Sequence, residues 1–453
     1  MHTGRTRQGH RACQCDIAYA EPRERCNGVR ADEVAAHFIA RKFARVEQQD
    51  VASGARENER GGAARGARAR NDDVRIDSRR ILGHRASMPS SPAPSPLAQR
   101  APKRWIPARV LITPSARAWP LARTVAERAA ALGAEIVELR ADRLEALRGA
   151  NVRETYVRSK TTLAVVVSPP SHRKLQPIPP SADWQFHLAR GCPAHCQYCY
   201  LAGSLPGPPV TRIYANLPEI LDGLEAYLGT GTVTSQSAER AAEGTTFEAS
   251  CYTDPLALEH LSGALAQTVA FFGRWEAAVQ LRWTTKFDAV APFVALDHRG
   301  HTRVRFSVNA RPITQRFEGG TAPLGDRIRA LGTLARAGYP VGLTVAPIMP
   351  LPAWRTHYDE LLALVEGETR DVVALDLSVE LITHRFTPGS KDVLLGWYPA
   401  TKLEMDEASR SLKRTKFGST KYVYRKDVMG ELRSFFEERV AARLPRARIL
   451  YWT

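Results

Sequence analysis

The sequence predicts an α/β fold: a partial barrel of five or six βα units, preceded by a small α/β unit and a long basic extension. Three observations carry this reading. Beyond residue 244, short apolar runs alternate with segments of helical spacing, the rhythm of parallel strands joined by crossover helices. The span holds five or six such units, which suits an open barrel better than a closed one of eight. Residues 1–104 show none of this patterning.

Residues 1–104 are rich in Arg, Ala, Gly and Ser, with 21 basic against 12 acidic side chains. Low hydrophobicity with high charge cannot offset ordering entropy, so this segment is expected to be disordered. It ends in SMPSSPAPSPLAQRAPKR (87–104), a Pro- and Ser-rich linker, with Met88 an alternative start. A basic arm for nucleic acid is the other reading of the same residues. The pattern changes at Arg109. Strands are expected at 110–113, 135–139 and 162–168, with a helix over 119–133, so that residues 105–180 form the small α/β unit. The barrel is expected over 181–453. Its strand candidates are 245–250, 279–285, 304–310, 341–347 and 373–382, and its helix candidates 256–273, 324–337 and 354–366. Gly338 stands where a C-terminal cap glycine belongs. The polar, Gly-rich stretch 229–245 reads as a surface loop.

Composition narrows the function. The 453 residues are 44% hydrophobic and 25% charged, enough for a sizeable core. No apolar run approaches the length of a membrane span. The net charge of +17 favours an anionic partner, nucleic acid before anionic membrane. Seven cysteines, unevenly placed and without a secretory signal, do not make a disulfide scaffold. A reducing cytoplasm is the expected compartment, and clustered cysteines there point to metal.

The cluster is ARGCPAHCQYCYLAG (189–203), spaced Cys192-x-x-x-Cys196-x-x-Cys199. Structural zinc sites usually take four protein ligands as two separated pairs, and no second pair follows. His195 is a fourth donor only at an unusual spacing. Three thiolates and one open position suit a [4Fe–4S] cluster with an iron left for a small ligand. A zinc loop and an incidental grouping are the competing readings.

CxxxCxxC with an aromatic before the last cysteine resembles the radical S-adenosylmethionine (SAM) superfamily. From about Trp105 to Thr453 the chain resembles one family in it, the spore photoproduct lyases. The resemblance rests on GCPAHCQYCYL (191–201), TTFEASCYTDPLALEHL (245–261), WTTKFD (283–288), VRFSVNA (304–310), the run 317–348, VELITHRFT (379–387), YPATKLEMDE (398–407) and KFGSTKYVYRKD (416–427). It implies a radical SAM partial barrel and repair of a methylene-linked thymine dimer in DNA, by a 5′-deoxyadenosyl radical. It implies that Cys192, Cys196 and Cys199 hold the cluster, that Cys251 donates a hydrogen atom, and that Tyr198 and Tyr200 relay the radical. Thr253, Lys286, Ser307 and Ala346, with Glu248 behind them, are the implied SAM contacts. A C-terminal β-hairpin over 414–425 would meet DNA through Lys416, Phe417 and Lys421. The implied partners are damaged DNA and an electron donor such as a flavodoxin or ferredoxin, with a monomer expected.

The sequence departs from the family's usual pattern at Lys416-Phe417, where Arg-Tyr is customary, at Thr253 in place of Ser, and at Tyr252 beside Cys251. A radical SAM enzyme acting on another nucleic-acid lesion is therefore the alternative. A non-catalytic iron–sulfur DNA-binding protein would need neither Cys251 nor Lys286.

Overall fold

The computed structural model describes residues 101–453 except 146, 206, 235–237 and 415–419. The extension up to residue 100 lies outside the described residues. In chain order the strands are β1 (Arg109–Ile112), β2 (Glu135–Glu138), β3 (Thr162–Val166), β4 (Gln176–Ile178), β5 (Ala182–Phe186), β6 (Ala189–Arg190), β7 (His195–Cys196), β8 (Thr211–Tyr214), β9 (Thr245–Ala249), β10 (Val279–Thr285), β11 (Thr302–Val308), β12 (Glu318–Gly319), β13 (Val341–Ile348), β14 (Leu377–Thr383), β15 (Ser411–Arg414), β16 (Thr420–Val423) and β17 (Ala447–Trp452).

The larger sheet has eight strands in the order β17-β14-β13-β11-β10-β9-β5-β4. From β5 to β17 every pairing is parallel, and only β4 runs against its neighbour. The sheet curls into a half-barrel, as expected. The smaller sheet, β2-β1-β3-β8-β6, takes β8 and β6 from beyond residue 180, while β4 leaves the first segment for the larger sheet. The two sheets thus exchange strands across the boundary expected at 180.

The five barrel strands read from the sequence are β9, β10, β11, β13 and β14. The last begins at Leu377 rather than 373, and Val373 is 93% exposed. The helix expected over 256–273 is two helices, Leu256–Ser262 and Ala264–Gly273, because Gly263 adopts a left-handed φ of 66°. Helices Leu324–Arg336 and Trp354–Thr369 stand where spacing put them, and Gly338 follows the first with φ 85°. Among the described residues no helix is long and apolar enough to cross a membrane.

Alternating strands usually keep one face wet. Here both faces of β10 and β11 are covered. The apolar positions Leu281, Trp283, Val304 and Phe306 meet the helices, and Arg282, Arg303 and Arg305 fill the barrel interior. These arginines are satisfied by acids from elsewhere in the chain: Arg282 by Glu243, just before β9, at 2.7 Å, Arg303 by Asp376, just before β14, at 2.6 Å, and Arg305 by Glu380 of β14 at 2.8 Å and by Glu248 of β9.

The stretch 229–245, read as a surface loop, is exposed at 229–232, 238 and 241–242 but is pinned to β5 by buried anchors. Asp183 on β5 accepts from Val233 N (2.8 Å), Thr234 N (3.2 Å), Thr234 Oγ1 (2.7 Å), Thr246 N (3.0 Å) and Thr246 Oγ1 (2.9 Å). Buried Arg240 reaches the carbonyls of Pro180 and Ser181. Polarity in this stretch serves solvent at Thr230 and Thr232 and an internal network at Thr234, Arg240 and Glu243, and composition does not separate the two.

Burial works against the charge of Asp183, but the bonds from Thr234 and Thr246 outweigh it and hold its pKa below the usual value. A depressed carboxyl contributes stability above the unfolded pKa and loses it as pH falls through the folded one. Asp183→Asn is expected to cost about 1.5–3 kcal/mol, the range for hydrogen bonds to a charged group. The loss should be read from denaturant melts at neutral pH and should shrink in acid.

Candidate active site

Gly191 enters the cysteine loop with φ 76°, and a Cβ there would lie 2.3 Å from the Val210 carbonyl oxygen. Only glycine fits, because a side chain meets both a disfavoured backbone region and a fixed backbone atom. Thr253 Oγ1 donates to the Gly191 carbonyl, and Gly191 N to the Tyr252 carbonyl at 2.9 Å. β7 pairs Cys196 with Glu318 of β12, closing the far side. From the smaller sheet's side, Lys160 at the end of helix Val152–Lys160 donates to the carbonyls of Cys192 and Ala194. Gly191→Ala should therefore displace the loop and lower the iron bound per chain several-fold, with the global melting transition preserved.

All three cysteines are free thiols, Cys196 buried and Cys192 and Cys199 half-buried. Burial pushes the Cys192 thiol up to about 12 and the Cys196 thiol up as well. Thiolates at these positions call for a cationic centre. Among the described residues no three His, Cys, Asp or Glu side chains gather as a site for a single metal ion. An iron–sulfur cubane asks for something else: three thiolates on three different irons, more widely spaced, with the fourth iron left for another ligand. The donor set fits such a cluster. His195, the other nitrogen donor of the loop, spends Nδ1 on the Tyr156 hydroxyl at 2.9 Å and faces a cavity of about 330 Å³ shared with Arg153, Arg316 and Tyr398.

The loop sits at the C-terminal mouth of the half-barrel, where barrel enzymes place their chemistry. Lys286, just past β10, donates to Ser307 Oγ (2.9 Å), Tyr198 OH (3.2 Å) and Glu318 Oε1 (2.8 Å). Tyr198 also donates to Glu318. Burial opposes charge on Glu318, yet Lys286 and Arg327 hold its pKa down to about 2. Of the expected SAM contacts, Lys286 is thus joined directly to the cysteine loop through Tyr198, and Ser307 through Lys286. Glu318 and Arg327, which complete the group, lie in the run 317–348 that carries the resemblance but were not among the expected contacts.

Cys251 follows β9, and its Sγ donates to Gln185 Oε1 at 2.8 Å. Burial is the main reason its pKa is raised well above the ordinary thiol value, with Glu248 adding to it. Tyr200, 60% exposed, donates its hydroxyl to the Cys251 carbonyl. The two tyrosines therefore part: Tyr200 meets Cys251, and Tyr198 meets Lys286 and Glu318.

The remaining expected contacts are placed differently. Thr253 Oγ1 is used on the Gly191 carbonyl. Glu248 gives one oxygen to Arg305 and the other to Ser181 at 2.8 Å, inside the barrel. Ala346 lies half-buried near the end of β13. The hairpin is present as β15 and β16, bridged to Phe386 through Tyr422, whose ring stacks on Phe386 at 5.2 Å. Lys416 and Phe417 lie outside the described residues. Lys421, expected to face DNA, is only 3% exposed, because strand alternation turns it inward together with Val423.

The family model "Spore photoproduct lyase" matches residues 105–453. The spore photoproduct lyase of Bacillus subtilis (strain 168) is 37% identical over 350 residues, covering 77% of this chain and 99% of its own. That of Geobacillus sp. (strain Y412MC61) is 35% identical over 352 residues, covering 78% and 100%. Among solved structures, a spore photoproduct lyase complexed with dinucleoside spore photoproduct superposes with a TM-score of 0.71 at 33% identity, over 78% of this chain and 100% of that one. A mutant with bound AdoMet and the same dinucleoside gives 0.70 at 33% identity, with the same coverage. With the cysteine loop, the half-barrel and matches spanning nearly the whole of its relatives, the chain belongs to the spore photoproduct lyase family.

Proposed function

We propose that this chain is a radical SAM lyase that returns the spore photoproduct, two adjacent thymines joined through a methyl carbon, to two thymines. The observation that carries the reading is the meeting of the cysteine loop with Cys251, through Tyr200, at the mouth of a parallel half-barrel. Cys192, Cys196 and Cys199 hold a [4Fe–4S] cluster, leaving one position for the amino and carboxylate groups of SAM. When bound, the pair supplies a 5′-deoxyadenosyl radical that removes a hydrogen from the lesion.

This chain's residues do the rest. Lys286 and Ser307 offer polar groups at the mouth for SAM, with Thr253 and Ala346 on the adjoining strand ends and Glu248 braced behind them. Cys251, kept protonated by burial, holds the S–H that gives a hydrogen atom to the thymine radical left when the linking bond opens. Tyr200, at the Cys251 carbonyl, and Tyr198, beside Lys286, serve the return of the radical. A dimer inside a duplex must leave the stack to reach this mouth, and damage lowers that cost. The hairpin β15–β16, with Lys416 and Phe417 between its two strands in sequence, supplies the wedge. The reductant is a low-potential flavodoxin or ferredoxin, and the working unit a monomer.

The test is an anaerobic assay of the reconstituted, reduced protein with SAM and a dinucleotide carrying the spore photoproduct, quantifying thymine repair and 5′-deoxyadenosine together. Repair well above background SAM cleavage is expected. SAM cleavage without repair would retain the radical enzyme and remove this lesion as its substrate.

A further inference from the structure

Gln185 is on the inner face of β5, in register with Glu248 of β9. Alternation sets Asp183 and Gln185 inward and Phe186 outward, where its ring stacks on Phe272 at 6.3 Å. Gln185 is 4% exposed. Its Oε1 takes the Cys251 thiol, while its Nε2 is buried with no hydrogen-bond partner among the described residues. Glu248, its partner in register, is turned to Arg305 and Ser181 instead. An amide nitrogen with two unused N–H groups, buried beside a reacting atom, marks a place where something else accepts.

The chemistry of thymine says what. On its ring edge the C5 methyl and the O4 carbonyl are neighbours. The carbon that receives the hydrogen is the former C5 methyl, so O4 lies beside the reacting carbon. For the Cys251 S–H bond to break and the C–H bond to form, that carbon must rest against Sγ. Gln185 already touches Sγ, which brings O4 within reach of its amide. We propose that Gln185 Nε2 donates to O4 of the hydrogen-accepting thymine while Oε1 aims the Cys251 S–H. One side chain thereby registers the acceptor against its hydrogen source. The proposal rests on the reading of Cys251 as hydrogen donor to the spore photoproduct.

The experiment uses the reconstituted full chain, wild type and Gln185→Met, which keeps the volume and removes the amide. Two lesion dinucleotides are compared: the spore photoproduct, and an analogue with hydrogen in place of that O4. Wild type should bind the analogue about tenfold more weakly, the cost of one unmet buried donor. Gln185→Met should bind the natural lesion about tenfold more weakly than wild type does and should not distinguish the two ligands, the signature of a coupled pair. Its iron content and lesion-free SAM cleavage should match wild type, while the fraction of opened lesion recovered as thymine falls several-fold. Equal binding of both ligands by wild type overturns the proposal without recourse to any variant. Unchanged affinity and unchanged product fraction in Gln185→Met overturn it too. Failure of wild type to repair the natural lesion is a separate result: it removes the functional reading, and the O4 binding comparison still judges Gln185.

Discussion

Cys251→Ala is expected to leave opening of the lesion intact and to spoil its outcome. The initiating hydrogen abstraction does not involve the thiol, so 5′-deoxyadenosine should form and the lesion should be consumed at close to wild-type rates. Without an S–H at the end of β9, the thymine radical is quenched by whatever else is present, and adducts replace thymine. Thymine per lesion consumed should fall by about tenfold or more, equivalent to about 1.4 kcal/mol or more in the competition between correct and wrong quenching. Folding should be unaffected, since the residue's side-chain hydrogen bond is the one to Gln185. The pH profile provides a second check. An ordinary thiol loses its proton near pH 8.5. Burial raises the pKa of Cys251 well above that, so the hydrogen stays on sulfur and the thymine yield should hold level through the ordinary thiol range. A yield that falls there would mean that the thiol is exposed in the working enzyme. A variant that fails to fold, or that still gives thymine cleanly, would assign Cys251 to structure.

The cysteine loop and Cys251 were legible because their signal is local: a fixed spacing in one case, a short motif in the other. Gln185 and Lys160 carry no such signal, and Glu318 and Arg327 lie within the run 317–348 without a mark of their own; each is brought beside the loop or Cys251 only by tertiary register. Gln185 meets Cys251 because β5 pairs with β9 across more than sixty intervening residues, a long-range pairing that periodicity does not report. The same cause hid β5 itself. Strands were sought as apolar runs, and β5 reads Ala-Asp-Trp-Gln-Phe, with its polar positions turned to the barrel interior. β17 was missed at the opposite edge, where only Tyr451 of its six residues is fully buried. Helix Val152–Lys160, which braces the loop, has a charged sequence and a weak apolar stripe. Conversely, an apolar start at 373 extended the expected β14 by four residues into an exposed turn. Regular, apolar elements were readable. The polar lining of the half-barrel was not, because its charges are compensated by residues distant in sequence.

That lining predicts the largest loss of stability. Arg305 lies in the middle of the barrel with 3% of its side chain exposed. It donates to Glu380 at 2.8 Å, to Ser181 Oγ at 2.7 Å and to Glu248. Burial disfavours its charge, but the two carboxylates reverse that and raise its pKa. The carboxylates differ: burial leaves Glu248 raised, while Arg305 holds Glu380 low against the same burial. Removing one partner of a buried pair costs about 3–5 kcal/mol, because the charge left behind has neither water nor a counterion. Arg305→Met strands two acids at once, so unfolding should shift by at least that amount in denaturant melts. The triple variant Arg305→Met, Glu248→Gln, Glu380→Gln removes the whole charge group and should recover most of the loss, since a neutral core of similar volume is often as stable as an ion pair. Recovery would show that the penalty belongs to uncompensated charge. A triple variant no better than the single would locate it in lost packing and in the hydrogen bonds that Arg305 gives Ser181 and that Glu380 takes from Thr344 at 2.9 Å. The recovered triple variant also separates stability from chemistry. Glu248 stands next in register to Gln185, so a stable protein that opens the lesion but yields little thymine would show that the charge group also sets the hydrogen donor's position.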